Sequence, residues 1–141
     1  MAGLESIWPA GRTTVGGKSM GDVWPHRALL TGGGEGDNAG PSAGLVPFHK
    51  LSQWLTYSLM EPLAAPGGLV LTETGHMTGL PEYRNGGLFV DMGVLVPKDP
   101  GAVLPPAAHK PDSEVIVEWR ALTVVLLVRR TWCLVCRSVD R

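Results

Sequence analysis

The clearest alternation of apolar and polar positions lies in LVPFHKLSQWLTYSLMEPL, residues 45–63. At 100° per residue, Phe48, Leu51, Leu55, Leu59 and Pro62 fall on one stripe, with Trp54 and Ser58 at its edge. This predicts a buried helix over 47–62 whose stripe faces a core. Pro47 suits a first helical position, where a missing N–H costs nothing, and Pro62 with Pro66-Gly67-Gly68 predicts the stop. The opposite stripe, His49, Ser52, Gln53, Thr56 and Met60, holds hydrogen-bonding groups and no charge. A face of that kind packs against another polar segment or lines a ligand cavity, which leaves Lys50, Tyr57 and Glu61 as the strip for water.

A second apolar stretch follows Asp112 or Ser113, either of which can cap a helix with Glu114 in its first turn. Val115, Ile116, Trp119, Leu122, Leu126 and Leu127 share one face, and Val117, Val124 and Val128 make the back apolar too. A largely buried helix over 112–128 is expected. Between the two helices, Leu88, Val90, Met92, Val94 and Val96 alternate with Phe89, Asp91, Gly93 and Leu95, the period of a short extended segment over 88–96. Asn85-Gly86-Gly87 ahead of it predicts a tight turn or a close backbone approach. The expected fold is therefore mainly α, two buried helices with a turn-rich connection and a short extended or hairpin segment; α+β is the alternative.

The rest of the chain divides by composition. Residues 1–30 read as an irregular arm in which SIWP and DVWP each hold a tryptophan anchor extended before a proline, pinning Trp8 and Trp24 onto a core; Asp22 and His26 are expected on surface turns. Residues 31–44, TGGGEGDNAGPSAG, read as a Gly-rich linker or insertion, 45–128 as the core, and 97–111 within it as a proline-rich crossing loop. Residues 129–141 form a basic tail holding both cysteines.

Twelve basic and thirteen acidic residues give a net charge of -1, so no global field favours nucleic acid or an acidic membrane surface. The run from Val115 to Val128 is interrupted by Glu118 and Arg120 and is too short to span a bilayer, and Glu5 and Pro9 break any secretory apolar run. With two late cysteines and no disulfide framework, a cytoplasmic location is expected.

Two nucleotide-loop patterns fail on spacing. GRTTVGGKSM ends in Gly17-Lys18-Ser19 but has Arg12 where a phosphate loop needs glycine, and Gly34-x-Gly36-x-x-Ala39 runs into Gly40-Pro41-Ser42 instead of a helix. Cys133 and Cys136 make a lone CxxC, and His26, His49, His76 and His109 show no metal-like spacing, so no metal and no cofactor are expected. The residue with the most chemistry is Asp91. A carboxylate in an apolar run is costly to bury unpaired, so it should meet a cation, several N–H groups or a ligand; Arg84 and His49 are the nearest candidates. An Asp91–Arg84 pair that fixes the turn is the structural alternative, and Glu82 stands equally close to the turn.

SIWPAGRT, GDVWPH, LVPFHKLSQWLTYSLMEPL, TGLPEYRNGGLFVDMGVL and DSEVIVEWRALTV, in this order, resemble the uracil-catabolism protein 4 family, a fungal and bacterial domain of unknown function. The resemblance covers roughly residues 4–128 without the Gly-rich linker. Family members are considerably longer and carry these motifs in their C-terminal part, so the chain looks like a fragment of a larger domain, and VLLVRRTWCLVCRSVDR departs from the family's pattern. The resemblance implies a role in a pathway that opens the uracil ring at the nucleoside or nucleotide level and releases urea. A C–N bond hydrolysis of a ribosylurea-like intermediate is the chemistry expected if the protein is an enzyme. Asp91 would then be the catalytic carboxylate, Arg84 and Asn85 would bind ligand oxygens, His49 and Gln53 would present imidazole and amide to the cavity, and Tyr83 would stack on a base or sugar. An inactive family fragment and a non-enzymatic partner of another pathway protein are the competing readings.

Overall fold

The structure, a computed structural model, describes residues 8–31, 40–99 and 109–139, with the backbone alone for Thr31 and 129–139. Most of the Gly-rich linker, most of the proline-rich loop and the side chains of Cys133 and Cys136 lie outside the described residues.

The arm opens as a hairpin. Strands β1 (Thr14–Val15) and β2 (Lys18–Ser19) pair antiparallel around Gly16-Gly17, both at positive φ of 57° and 77°. Two consecutive positive φ values close a two-residue hairpin with the twist its strands need, which is why two glycines stand there. Strand β3 (Val23–Pro25) then pairs antiparallel with β4 (Leu45–Pro47), Trp24 opposite Val46. A four-residue helix, α1 (Ala28–Thr31), follows β3. Two small sheets beside three longer helices give the mainly α architecture expected.

Helix α2 spans Lys50–Ala64, so Pro47 ends a strand instead of starting the helix, and Pro62 lies inside its last turn. None of its residues is buried, which corrects the expectation of a core-facing apolar stripe. Its attachment is polar instead. Gln53 donates to the Phe48 carbonyl and to Thr78 Oγ1, both at 3.0 Å, and accepts from the Thr78 N–H at 2.8 Å; Tyr57 Oη donates to the Thr78 carbonyl at 2.9 Å. Gln53 of the uncharged polar stripe thus packs against a polar segment, joined by Tyr57 from the strip that was expected to face water.

Residues 88–96 are not extended. Helix α3 covers Tyr83–Asp91 and takes in Asn85-Gly86-Gly87, with turns from Met92 onward. Glu82 and Asn85 form a reciprocal capping box at its start, and that local signal outweighs the alternating pattern downstream. Gly86 marks a close approach: a Cβ there would lie 2.5 Å from Trp119 Cζ2. Trp119 Nε1 donates to the Gly86 carbonyl at 3.1 Å across this contact.

Helix α4 covers Glu114–Val139. Its buried side chains are Ile116, Val117, Trp119 and Thr123, an arc centred between Ile116 and Arg120, which corrects the expectation of a largely buried helix: Val115 and Leu122 of the expected face are exposed. Val23, Trp24 and Phe48 complete the core from the other side, so the core sits where the β3–β4 pair meets α4.

Candidate functional site

The core holds a carboxylate. Asp22, expected on a surface turn, is only 8% exposed. Arg120 Nη1 and Nη2 donate to its Oδ1 and Oδ2 at 2.9 and 2.7 Å, Trp24 Nε1 donates to Oδ1 at 2.7 Å, and the Lys50 backbone N–H donates to Oδ2 at 3.2 Å. Burial pushes the Asp22 carboxyl up, but the Arg120 guanidinium, the indole N–H and the backbone N–H outweigh it, and the net shift is downward. Asp22 also accepts from the Phe48 and His49 N–H groups through its carbonyl, so it caps α2 from a distant part of the chain. Arg120 lies 4.0 Å from the Phe48 ring centroid, so its outer face is covered as well.

His49, at the N-cap of α2, takes a left-handed conformation at φ 47°, and its Nδ1 is buried without a hydrogen-bond partner. A non-glycine residue there is strained, and the strain persists because Asp22 fixes the backbone on either side.

Beside this junction a cleft of about 200 Å³ opens between the start of α2, the start of α3 and α4, lined among others by Lys50, Glu82, Tyr83, Trp119 and Arg120. Lys50 Nζ lies 3.4 Å from Glu82 Oε1, and Arg84 Nη2 lies 3.3 Å from Glu82 Oε2. Partial burial raises the Glu82 carboxyl, but the Lys50 ammonium and the Arg84 guanidinium prevail and hold it below the usual range. One wall is aromatic, with Tyr83 stacked on Trp119 at 5.9 Å and an interplanar angle of 26°. An aromatic wall beside the Glu82 carboxylate and the Lys50 ammonium suits a small planar polar ligand, and the volume is below the roughly 300–1,000 Å³ of drug-sized pockets.

A larger cleft of about 420 Å³ lies on the other side of Trp119, with Leu95, Val96, Pro97 and Leu122 in its apolar lining. Ion pairs Arg27–Glu114 at 2.8 Å and Lys98–Glu118 at 3.0 Å stand at that cleft, so its charges are engaged with one another.

Of the candidate site residues singled out from sequence, Tyr83 lines the smaller cleft together with Glu82, the carboxylate weighed beside Asp91, and Tyr83 is 69% exposed. His49 adjoins Lys50 at the cleft's edge. Gln53 spends its amide on Phe48 and Thr78, and Asn85 spends its own on the Glu82 N–H and the Leu80 carbonyl. Arg84 pairs with Glu82, not with Asp91. Asp91 is exposed at the far end of the nine-residue α3, about 12 Å along the axis from Tyr83. Among the described residues no ion pair joins it to Arg84 or His49. Asp22, Lys50 and Arg120 were the residues sequence reasoning missed. The only signal for Arg120 was a charge interrupting an apolar helix.

Comparison with known proteins points the same way as the motifs. Residues 1–134 match the family model described as "Protein of unknown function (DUF1688)". The chain is 43% identical over 124 residues to Protein urg3 of Schizosaccharomyces pombe, covering 88% of this chain and 27% of that protein. It is 43% identical over 142 residues to Uracil catabolism protein 4 of Lachancea kluyveri, covering 90% of this chain and 31% of that protein. The chain thus spans about a third or less of the length of these curated relatives. No solved structure matches it.

Proposed function

The chain belongs to the DUF1688 family, and from that premise we propose that it forms part of a protein acting in uracil catabolism, with the Lys50–Glu82 cleft as its ligand site. The name of one relative, Uracil catabolism protein 4, supports the pathway. The observation that carries the site is the Lys50–Glu82 ion pair at 3.4 Å in the cleft that the stacked Tyr83 and Trp119 also line.

The reaction we propose is hydrolysis of the C–N bond of a ribosylurea-like intermediate. Water adds to the anomeric carbon as the bond to nitrogen breaks, and the proton lost by that water ends on the departing nitrogen, giving ribose and urea. Glu82, rather than the remote Asp91, accepts the proton from that water or stabilises the positive charge developing on the sugar, a role that an unprotonated carboxylate can fill. Lys50 donates to a carbonyl oxygen of the ureide, and the planar ureide lies along the aromatic wall.

Binding is tested by thermal melts of the 141-residue chain with N-ribosylurea, with urea and ribose as controls. The expected outcome is an upward shift with ribosylurea that Lys50→Met abolishes, since a ligand of the native state raises its apparent stability. No shift in the unaltered chain sinks the site. Catalysis is tested in full-length Uracil catabolism protein 4 by urea release: Glu82→Gln at the matching position should lower turnover by about 10²-fold or more while leaving binding in place. Unchanged turnover removes Glu82 from the mechanism.

A further inference from the structure

The apolar stripe of α2 is an amphipathic face without a core. Leu51 is 61% and Trp54 56% exposed, and Leu55 and Leu59 beside them are exposed too. The helix holds to its own chain by the other side, through Gln53 and Tyr57 on Thr78 and Lys50 on Glu82. A helix whose polar stripe faces inward and whose apolar stripe faces out has the pattern of an element shared between two layers, of which one is present. An exposed apolar strip of this length is uncommon on a free-standing surface.

We propose that this face of α2 is the seam on which the remainder of the DUF1688 fold packs, the two-thirds or more of the curated relatives' length that this chain does not match. Two independent observations meet here. The spacing of Leu51, Leu55 and Leu59 is that of a core-facing helix. The relatives supply the missing layer, since the matched region is only 27% and 31% of their lengths. The occupant is therefore an apolar surface of the same family's fold, and the contact is dry and uncharged at its centre.

The test is co-expression of the 141-residue chain with the part of Uracil catabolism protein 4 that it does not match. A 1:1 complex should form and co-purify, and Leu55→Asp/Leu59→Asp should weaken it roughly a hundredfold or more, because two carboxylates would be desolvated at its centre. Glu61→Lys, off the stripe, should leave the complex intact. The unaltered chain failing to form the complex, or the aspartate pair leaving it unchanged, overturns the proposal. So does sedimentation of the isolated chain as a dimer that the aspartate pair dissociates, because a second copy would then own the face. Melts of the isolated variant should match those of the unaltered chain, which separates loss of the seam from loss of folding.

Discussion

Arg120 grips both carboxylate oxygens of Asp22 across ninety-eight positions of sequence, with the two side chains 13% and 12% exposed. This pair ties the arm to α4, and because Asp22 also holds the Lys50 N–H, it fixes where α2 begins. The small cleft takes Lys50 from α2 and Arg120 from α4, so its shape depends on the Asp22–Arg120 contact.

Breaking one side of the pair should therefore cost more than removing both. Asp22→Asn leaves the guanidinium without a full counter-charge in a mostly buried position, an expected loss of about 3–5 kcal/mol. Asp22→Asn combined with Arg120→Met removes both charges and should recover part of that loss, with a coupling of roughly 1–3 kcal/mol. Urea unfolding of the single and double variants measures it, and strictly additive losses would show that the pair is not coupled.

Acid should attack the same junction. Asp22 has a folded-state value below its ordinary 3.8, so the unfolded chain takes up the proton first as pH falls. Its contribution is fully present at neutral pH, begins to fade near about pH 5, and is lost as pH falls through the folded value. Glu82, also lowered, adds in the same direction. The midpoint of thermal unfolding should fall steeply below about pH 5, and Asp22→Asn should flatten that slope. An equally steep slope in the variant would assign the acid lability elsewhere.

The helices were legible in the sequence because periodicity and caps are local. Their burial was not, since periodicity marks an apolar stripe without saying what covers it, and Leu51, Leu55 and Leu59 stand exposed. The alternation over 88–96 misled for a related reason: period-two spacing over a few residues carries less weight than the Glu82–Asn85 capping box that starts α3. Tyr83 could be found because the family motif TGLPEYRNGGLFVDMGVL carries it, and an aromatic there suits stacking on a base or sugar. Asp22 could not, since its partners Arg120 and Lys50 are brought to it only by tertiary folding. Asn85 and Gln53 looked like ligand donors because a side-chain amide has the same groups whether it binds a ligand or closes a turn.

The Asn85-Gly86-Gly87 stretch separates two roles of glycine within one helix. Alanine improves helix propensity at either position by about 1 kcal/mol. At Gly87 nothing lies within 4 Å of an added Cβ, so Gly87→Ala should raise stability by about 0.5–1 kcal/mol. At Gly86 the added carbon would meet Trp119 Cζ2 at 2.5 Å and Thr123 Oγ1 at 2.8 Å, and Thr123 is fully buried. Overpacking of about 1–3 kcal/mol then competes with the propensity gain. It should win, because moving Trp119 also breaks its hydrogen bond to the Gly86 carbonyl and shifts the wall shared with Tyr83. Gly86→Ala should lower the unfolding midpoint and red-shift the tryptophan emission, while Gly87→Ala raises the midpoint with the emission unchanged. Equal effects at the two sites would mean that α3 does not approach α4 at Gly86.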